Sequence, residues 1–262
     1  MKIMIFAAGL GTRLKPLTDI IPKALVPVGD KPLLQRILEK VDKPGNTVVI
    51  NIHHHSEQIR NFIKITEHHW KSEIKLSDET DMLLDTGGGL RQAIPLFQSS
   101  EQDADIDAPI LIHNVDILSN VDIEEFYRNN MQNDATLLVS PRKTSRYLLF
   151  DDDMRLVGWI NTSTGEIKSP YKELREQAGN APDLLVLHST PLRKLAFSGL
   201  HMFSPGLLRM MTPLPKRFGI MDFYLDICME HNVRGVVKED LQLLDVGKLD
   251  TLENAKEFLN QL

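Results

Sequence analysis

The segment Ala7-Ala8-Gly9-Leu10-Gly11-Thr12-Arg13-Leu14 combines two glycines with an arginine. Glycines let a backbone turn sharply and present N–H groups to an anion, and a planar guanidinium can bridge two phosphate oxygens at once. The same residues also fit a glycine-rich turn that carries a solvated arginine. Neither the Gly-Lys-Ser/Thr ending of a P-loop nor the third glycine of a dinucleotide fingerprint follows. Further on, Pro22-Lys23-Ala24-Leu25-Val26-Pro27 sets one lysine between prolines in an apolar stretch. An ammonium held by so stiff a backbone suits a reacting phosphate, or else is a surface lysine after a turn. Two aspartates close apolar runs: Asp116 after ILIHNV and Asp245 after LQLL. Each alone fits an ordinary turn. If they converge, two such carboxylates call for a cation, and Mg²⁺ takes a few carboxylates together with phosphate oxygens and water.

These residues need a scaffold that brings chain ends together. Lys2 to Ala8, Thr47 to Ile52, Pro109 to Val115 and Ala135 to Ser140 are short apolar runs of the kind buried on both faces of a parallel sheet. Helical spacing over Leu33 to Val41, Ser56 to Thr66, Gly88 to Leu96 and Ile123 to Asn133 alternates with them. Residues 1–140 therefore read as a doubly wound α/β half, with ligands at the carboxyl ends of the strands. From Tyr147, YLLFDD and LVGWIN flank Asp151-Asp152-Asp153 as an antiparallel hairpin. Residues 162–193 are polar and irregular, the composition of a lid free to move. Leu195 to Ser204 resumes a strand, and helices are expected over Pro205 to Met211 and Met221 to Glu230. The runs VRGVVK and LQLLDVG are two further strands, and Thr251 caps a last helix to Leu262.

The 262 residues, 42% hydrophobic, suit a single domain with a sizeable core. A net charge of −6 excludes a global basic field for nucleic acid, so anionic ligands must be captured locally. The single cysteine, Cys228, lies in an apolar pattern and reads as core. With no signal-peptide pattern and no apolar run of membrane-spanning length, a reducing cytoplasm is the expected location. His53-His54-His55 invites a metal reading, yet adjacent histidines at a strand end do not face one ion. The three hairpin aspartates read as a solvated turn. Trp159 fits either a stacking platform or the core.

The stretch FAAGLGTRLKPLTDIIPKALVPVGDKPLL, Phe6 to Leu34, closely resembles the N-terminal signature of the sugar-1-phosphate nucleotidyltransferases. LDTGGG, Leu84 to Gly89, resembles that family's base- and ribose-binding loop. His113-Asn114-Val115-Asp116 and Leu244-Asp245-Val246-Gly247 resemble its metal-binding segments, and Phe197-Ser198-Gly199-Leu200 its sugar-side strand. The resemblance implies a Rossmann-like, GT-A-type mixed sheet flanked by helices, in one domain with a nucleotide half (1–140) and a sugar half (141–262). It implies Mg²⁺ on Asp116 and Asp245, and Arg13 and Lys23 as the catalytic cations. Ala7, Ala8, Gly9, Leu10, Gly11, Thr12, Arg13, Lys23, Thr86, Gly87 and Gly88 would bind the nucleotide, and Asn114, Ser198 and Gly199 the sugar.

Two departures stand out. Val115 replaces the glycine of the familiar Asn-Gly-Asp, and the Glu-Lys-Pro element for the sugar phosphate is missing, leaving Lys168 and Lys194 as substitutes. LDTGGGL and FSGLHMF look most like the N-acetylmuramate-1-phosphate uridylyltransferase branch, which implies UTP and that sugar phosphate as substrates. Mannose-1-phosphate guanylyl and glucose-1-phosphate thymidylyl transfer are the alternatives, and a non-catalytic nucleotide-sugar-binding homologue is the reading of another class.

Overall fold

A computed structural model describes residues 1–98, 108–179 and 181–260. Its first half is built on β1 (Lys2–Phe6), helix α1 (Leu33–Val41), β2 (Thr47–Ile52), α2 (Ser56–Thr66), β3 (Glu73–Asp78), α3 (Asp85–Ala93), β4 (Ile110–Asn114), β5 (Ile117–Ser119), α4 (Ile123–Asn129) and β6 (Ala135–Ser140). The second half adds β7 (Arg146–Phe150), β8 (Leu156–Asn161), β9 (Glu166–Lys168), β10 (Arg193–Phe203), α5 (Ile220–Ile227), β11 (Val233–Val237), β12 (Leu243–Asp245) and α6 (Leu249–Leu259). Ten strands form one mixed sheet in the order β9-β8-β7-β10-β4-β1-β2-β3, with β6 on β10 and β11 on β6.

Strands β3, β2, β1 and β4 are parallel, so the chain leaves β1 in one direction for β2 and later returns to its other side for β4. That reversal opens a crevice beyond the carboxyl ends of β1 and β4, where such sheets take their ligands. Alternation along β1 feeds both faces: Ile3 and Ile5 join one core with Leu34, Ile37 and Leu38 of α1, while Met4 joins the other with Leu90 of α3 and Tyr224 of α5. All three β1 side chains are fully buried, as a two-sided strand requires.

Strand β3 was not among the sequence expectations. Its residues EIKLSD alternate polar and apolar at the sheet's edge, with β2 as the only neighbour among the described residues, so the run lacks the continuous apolar signal of a central strand. Helix α3 starts at Asp85, three residues earlier than its periodicity suggested, because the three glycines are helical. The last helix starts at Leu249, not behind Thr251. That threonine sits inside the first turn and accepts from Lys248 N–H at 3.3 Å while donating to Lys248 O at 2.9 Å. The expected end of that helix at Leu262 lies outside the described residues.

The hairpin expected around the three aspartates is β7–β8, and Asp151 Oδ1 accepts from Arg155 N–H at 2.8 Å to close its turn. Residues 162–193 are not an irregular excursion. They contain β9, a short helix (Lys172–Arg175) and a small two-stranded ribbon, and Leu174, Leu185 and Leu187 pack with Leu149, Val157 and Ile160 in a third core. Those leucines are spaced through polar sequence and come together only through the hairpin's tertiary surface, so no periodicity announces them. Among the described residues no helix is long and apolar enough to cross a membrane.

Candidate active site

The strand ends converge on a cavity of about 210 Å³, lined by Phe6 to Gly9 after β1, Asn51 at the end of β2, Glu79 after β3, Asp85 and Thr86 opening α3, and Asn114 to Asp116 after β4, with Lys23 beside them. Gly11 turns the loop at φ +62, where a β-carbon would stand 2.8 Å from Thr18 Cγ2, and Thr18 Oγ1 donates to Gly11 O at 2.8 Å. Gly9, Leu10, Thr12 and Arg13 remain exposed on this loop, with Thr12 and Arg13 in a single 3₁₀ turn.

A buried polar link fixes the two loops of the cavity against each other. Ala7 and Ala8 donate their N–H groups to Asn51 Oδ1 at 2.7 and 3.3 Å, so these amides are already satisfied and do not point at a phosphate. Asn51 Nδ2 donates to Glu79 Oε1 at 2.7 Å, and Glu79 Oε2 accepts from Leu84 N–H at 3.0 Å. Burial pushes the Glu79 carboxyl above its usual range, opposed by these hydrogen bonds. Neither residue was foreseen, though a polar Asn51 inside the apolar run TVVINI is a signal that spacing alone could have raised.

Thr86 lines the cavity, and its Oγ1 accepts from Ile220 N–H at 2.9 Å. Gly87 and Gly88 are placed otherwise than expected. Both are buried and absent from the cavity wall, and their N–H groups donate to Phe218 O at 2.9 and 3.2 Å. The lack of side chains there lets residues 216–218 close over α3. Arg91 on the same helix reinforces that seam, reaching the carbonyls of Met211, Leu214 and Pro215 at 2.7–2.9 Å.

Lys23 and Asp116 form an ion pair, each side chain only 13–14% exposed. Strand β12 lays Asp245 opposite Ile117 of β5, and Val246 N–H donates to Asp116 O at 2.8 Å, so the two distant segments meet. Asp245 Oδ1 is buried without a hydrogen-bond partner among the described residues. Burial, and then the neighbouring Asp116 charge, raise the Asp245 carboxyl, while Lys23, Arg13 and Arg142 pull the other way. A β-carbon on Gly247 would stand 2.6 Å from Asp245 Oδ1 and 2.7 Å from Arg13 Nη2, so the carboxylate and the guanidinium both crowd the space that a side chain there would fill. No cluster of three or more metal-binding side chains occurs among the described residues. Two carboxylates, one with an orphaned oxygen, do fit a Mg²⁺ that draws its remaining ligands from phosphate and water.

In the strand expected to face the sugar, Gly199 adopts φ +75 at an irregularity in β10, and a β-carbon there would meet Ile117 Cγ1 at 2.5 Å and Asn114 Nδ2 at 3.3 Å. Glycine thus lets β10 pass beneath the Asn114 turn. Ser198 is fully buried, with its Oγ 3.4 Å from Ser140 Oγ, so it supports that strand and does not face a ligand. Val115 is buried as well, which places the residue that replaces the family's glycine in the core. Lys168 lies on the wall of a second cavity of about 1100 Å³, shared with Arg13, Arg142, Trp159 and Asp245, whereas Lys194 does not. Arg142, absent from the sequence expectations, donates to Phe197 O at 2.9 Å. Trp159 is half-buried, at once packed on the core and open to this cavity.

The other conspicuous residues lie elsewhere. His55 takes φ +53 before α2, and His54 lies tilted against it with ring centres 3.9 Å apart and reaches Thr18 O at 3.2 Å, so His54 buttresses the glycine loop from behind. Cys228 is a core thiol, pushed up to about 12 by burial.

The Asp116–Asp245–Lys23–Arg13 cluster thus lies between a small cavity at the parallel strand ends and a wide cationic one. A family model described as nucleotidyl transferase matches residues 2–150, more than half of the sequence, and this chain belongs to that family. It is 35% identical over 115 residues to an N-acetylmuramate alpha-1-phosphate uridylyltransferase of Caulobacter vibrioides, covering 43% of this chain and 44% of that protein. To the enzyme of the same name from Neisseria meningitidis serogroup B it is 37% identical over 123 residues, covering 47% and 49%. The chain thus spans less than half the length of these curated relatives. The crystal structure of HddC from Yersinia pseudotuberculosis complexed with GMP-PN superposes with a TM-score of 0.69 over 98% of this chain and 99% of that one at 18% identity, a likeness of fold.

Proposed function

We propose that this chain transfers a nucleoside monophosphate from a nucleoside triphosphate to a sugar-1-phosphate, releasing pyrophosphate, with Mg²⁺ held by Asp116 and Asp245. The observation that supports this reading is the proximity of those two carboxylates to Lys23 and Arg13, with Lys23 and Asp116 on the wall of the smaller cavity and Arg13 and Asp245 on that of the larger. The smaller, closed by the Asn51–Glu79 link, suits a nucleoside. The larger suits the acceptor and the phosphates.

The acceptor's phosphate oxygen attacks the α-phosphorus in line. A new P–O bond forms as the bond to pyrophosphate breaks, so no protein nucleophile is needed. Arg13 and Lys23 bind and orient anionic groups that would otherwise repel, and their positions are set before reaction by the Gly11 turn and the Pro22–Pro27 segment. When bound, Mg²⁺ neutralises charge on the phosphates and the leaving pyrophosphate. Similarity to the Caulobacter and Neisseria proteins makes UTP and N-acetylmuramate 1-phosphate the leading substrates.

Incubating the purified protein with Mg²⁺, each of the four common nucleoside triphosphates and a panel of sugar-1-phosphates, while following pyrophosphate, tests this directly. We expect one pair to dominate. Binding of nucleotide sugar with no pyrophosphate from any pair would instead make the chain a binding protein.

A further inference from the structure

The wide cavity is far more cationic than a chain of net charge −6 would suggest. Six cationic side chains line it against two carboxylates, Asp222 and Asp245. Asp222 is taken by Lys168 at 2.9 Å, and Asp245 belongs to the reaction centre. The side chains of Arg13, Lys143, Arg146 and Lys248 make no hydrogen bond or ion pair among the described residues. Gathering unpaired like charges is unfavourable unless an anion compensates them, and such clefts concentrate anionic substrates.

These cations lie at two ends. Arg13 and Arg142 sit close enough to Asp245 to act on its charge, so they belong with the reacting phosphates. Arg146 belongs to the other end, and the sheet register shows where. Leu148 pairs with Trp159, Trp159 with Lys168, and Arg146 with Asn161, and residues directly opposite across antiparallel strands share a face. Arg146, Leu148, Trp159 and Lys168 therefore lie side by side on one face of the β7–β8–β9 sheet, all on the cavity wall. Lys168 Nζ stands 5.5 Å from the centre of the Trp159 ring. An aromatic plane beside an unpaired guanidinium on rigid strands suits a sugar ring that carries its own negative group.

We propose that this face is a second anion subsite, distinct from the one for the reacting phosphates, and that it selects an acceptor sugar bearing a further carboxylate or phosphate away from its 1-phosphate. The inference rests on the transferase reading above, since it assumes that an acceptor occupies the wide cavity. Glu166 lies in the same row, beyond Asn161, but forms no ion pair with Arg146, so a neutral hexose 1-phosphate would leave that guanidinium without a direct partner.

The test compares acceptors that differ only in the added anion: N-acetylmuramate 1-phosphate against N-acetylglucosamine 1-phosphate, and glucose 1,6-bisphosphate against glucose 1-phosphate. Binding is read from Trp159 fluorescence or calorimetry, and turnover from pyrophosphate. One acidic member should bind at least about tenfold more tightly than its neutral partner, and which one it is tells carboxylate from phosphate. Arg146→Ala should bring that ratio towards one with its unfolding temperature unchanged. Equal binding within both pairs, or an undiminished preference in the variant, would overturn the subsite. Preferential binding of an acidic acceptor without turnover of any acceptor would keep the subsite and refute the transferase reading, so the two fail separately.

Discussion

The two cavities are built by opposite strategies. The smaller cavity, proposed for the nucleotide, stands on parallel strand ends, where backbone turns do the positioning and buried groups hold one another: Ala7, Ala8, Asn51, Glu79 and Leu84 form one continuous chain of hydrogen bonds. The wide cavity, proposed for the acceptor, stands on an antiparallel face, where side chains project into an open cleft and several cations have no partner among the described residues. A site assembled from turns can be rigid before any ligand arrives. One assembled from exposed cations owes its compensation to the ligand, so selectivity for the acceptor should be the more easily altered by single substitutions.

The largest effect is expected at the proposed metal pair, which stands between the two cavities. Asp116→Asn and Asp245→Asn should each lower metal-dependent turnover by about 10²–10³-fold or more. In the proposed mechanism both carboxylates serve one ion, so the double variant should lose much less than the product of the single losses. A magnesium titration of pyrophosphate release decides it: single variants that saturate at the wild-type rate would remove the pair from the mechanism. Next in size, Arg13→Ala should cost about 10²-fold in turnover. Lys23→Ala should be comparable, with part of its loss appearing when the sugar phosphate is varied. Steady-state pyrophosphate kinetics would show either claim wrong by near-normal rates.

The same contrast explains what could be read from the residues alone. The Gly-Leu-Gly-Thr-Arg turn, Lys23 and the two aspartates each also fit an ordinary turn, and they stood out in the sequence only through their joint order, whereas the central strands announced themselves by continuous burial. Glu79 was hidden: its function depends on Asn51, a residue 28 positions earlier that only strand pairing brings near. Ser198 misled because it borders Gly199, whose positive φ is the actual requirement, and Gly87 and Gly88 because a glycine absent of side chain serves close packing as well as ligand approach. Arg146, Trp159 and Lys168 share a face through antiparallel register, which no local pattern encodes.

A smaller effect is expected where the nucleotide side's closed network is opened. Glu79→Gln keeps the shape but replaces one accepting oxygen by a donor, so either Asn51 Nδ2 or Leu84 N–H loses its acceptor. Leaving one buried polar group unsatisfied costs roughly 1–3 kcal/mol. Urea unfolding should show that loss, and the KM for the nucleoside triphosphate should rise while the KM for the acceptor holds. Equal rises in both would mean that the link does not belong to one side only.

The smallest effect on the rate, and the most specific to the seam between the sides, concerns two buried histidines. His113 of β4 and His201 of β10 lie on the paired strands that join the halves, and both are almost fully buried. His113 Nδ1 meets Asn114 O at 2.8 Å, and His201 Nδ1 meets Tyr224 OH at 2.9 Å. Burial lowers His113 from 6.5 to about 4 and His201 from 6.5 to about 3, the latter with a further push from His113. The unfolded chain therefore binds protons at these sites as pH falls below 6.5, whereas the folded chain does not until far lower. Since a site protonated only in the unfolded state favours unfolding, stability is full above pH 6.5 and declines towards pH 4, by about 1.4 kcal/mol per pH unit for each histidine. His201→Gln keeps a partner for Tyr224 and removes one titrating site. Its unfolding free energy, measured in urea between pH 7 and pH 4.5, should fall about 1.4 kcal/mol per unit less steeply than that of the wild type. The level at pH 7 is not the readout, because any core substitution shifts it; the slope is. Parallel curves would mean that His201 does not stay neutral in the folded seam, and with it the account of why these strands hold the two halves most firmly near neutral pH would fail.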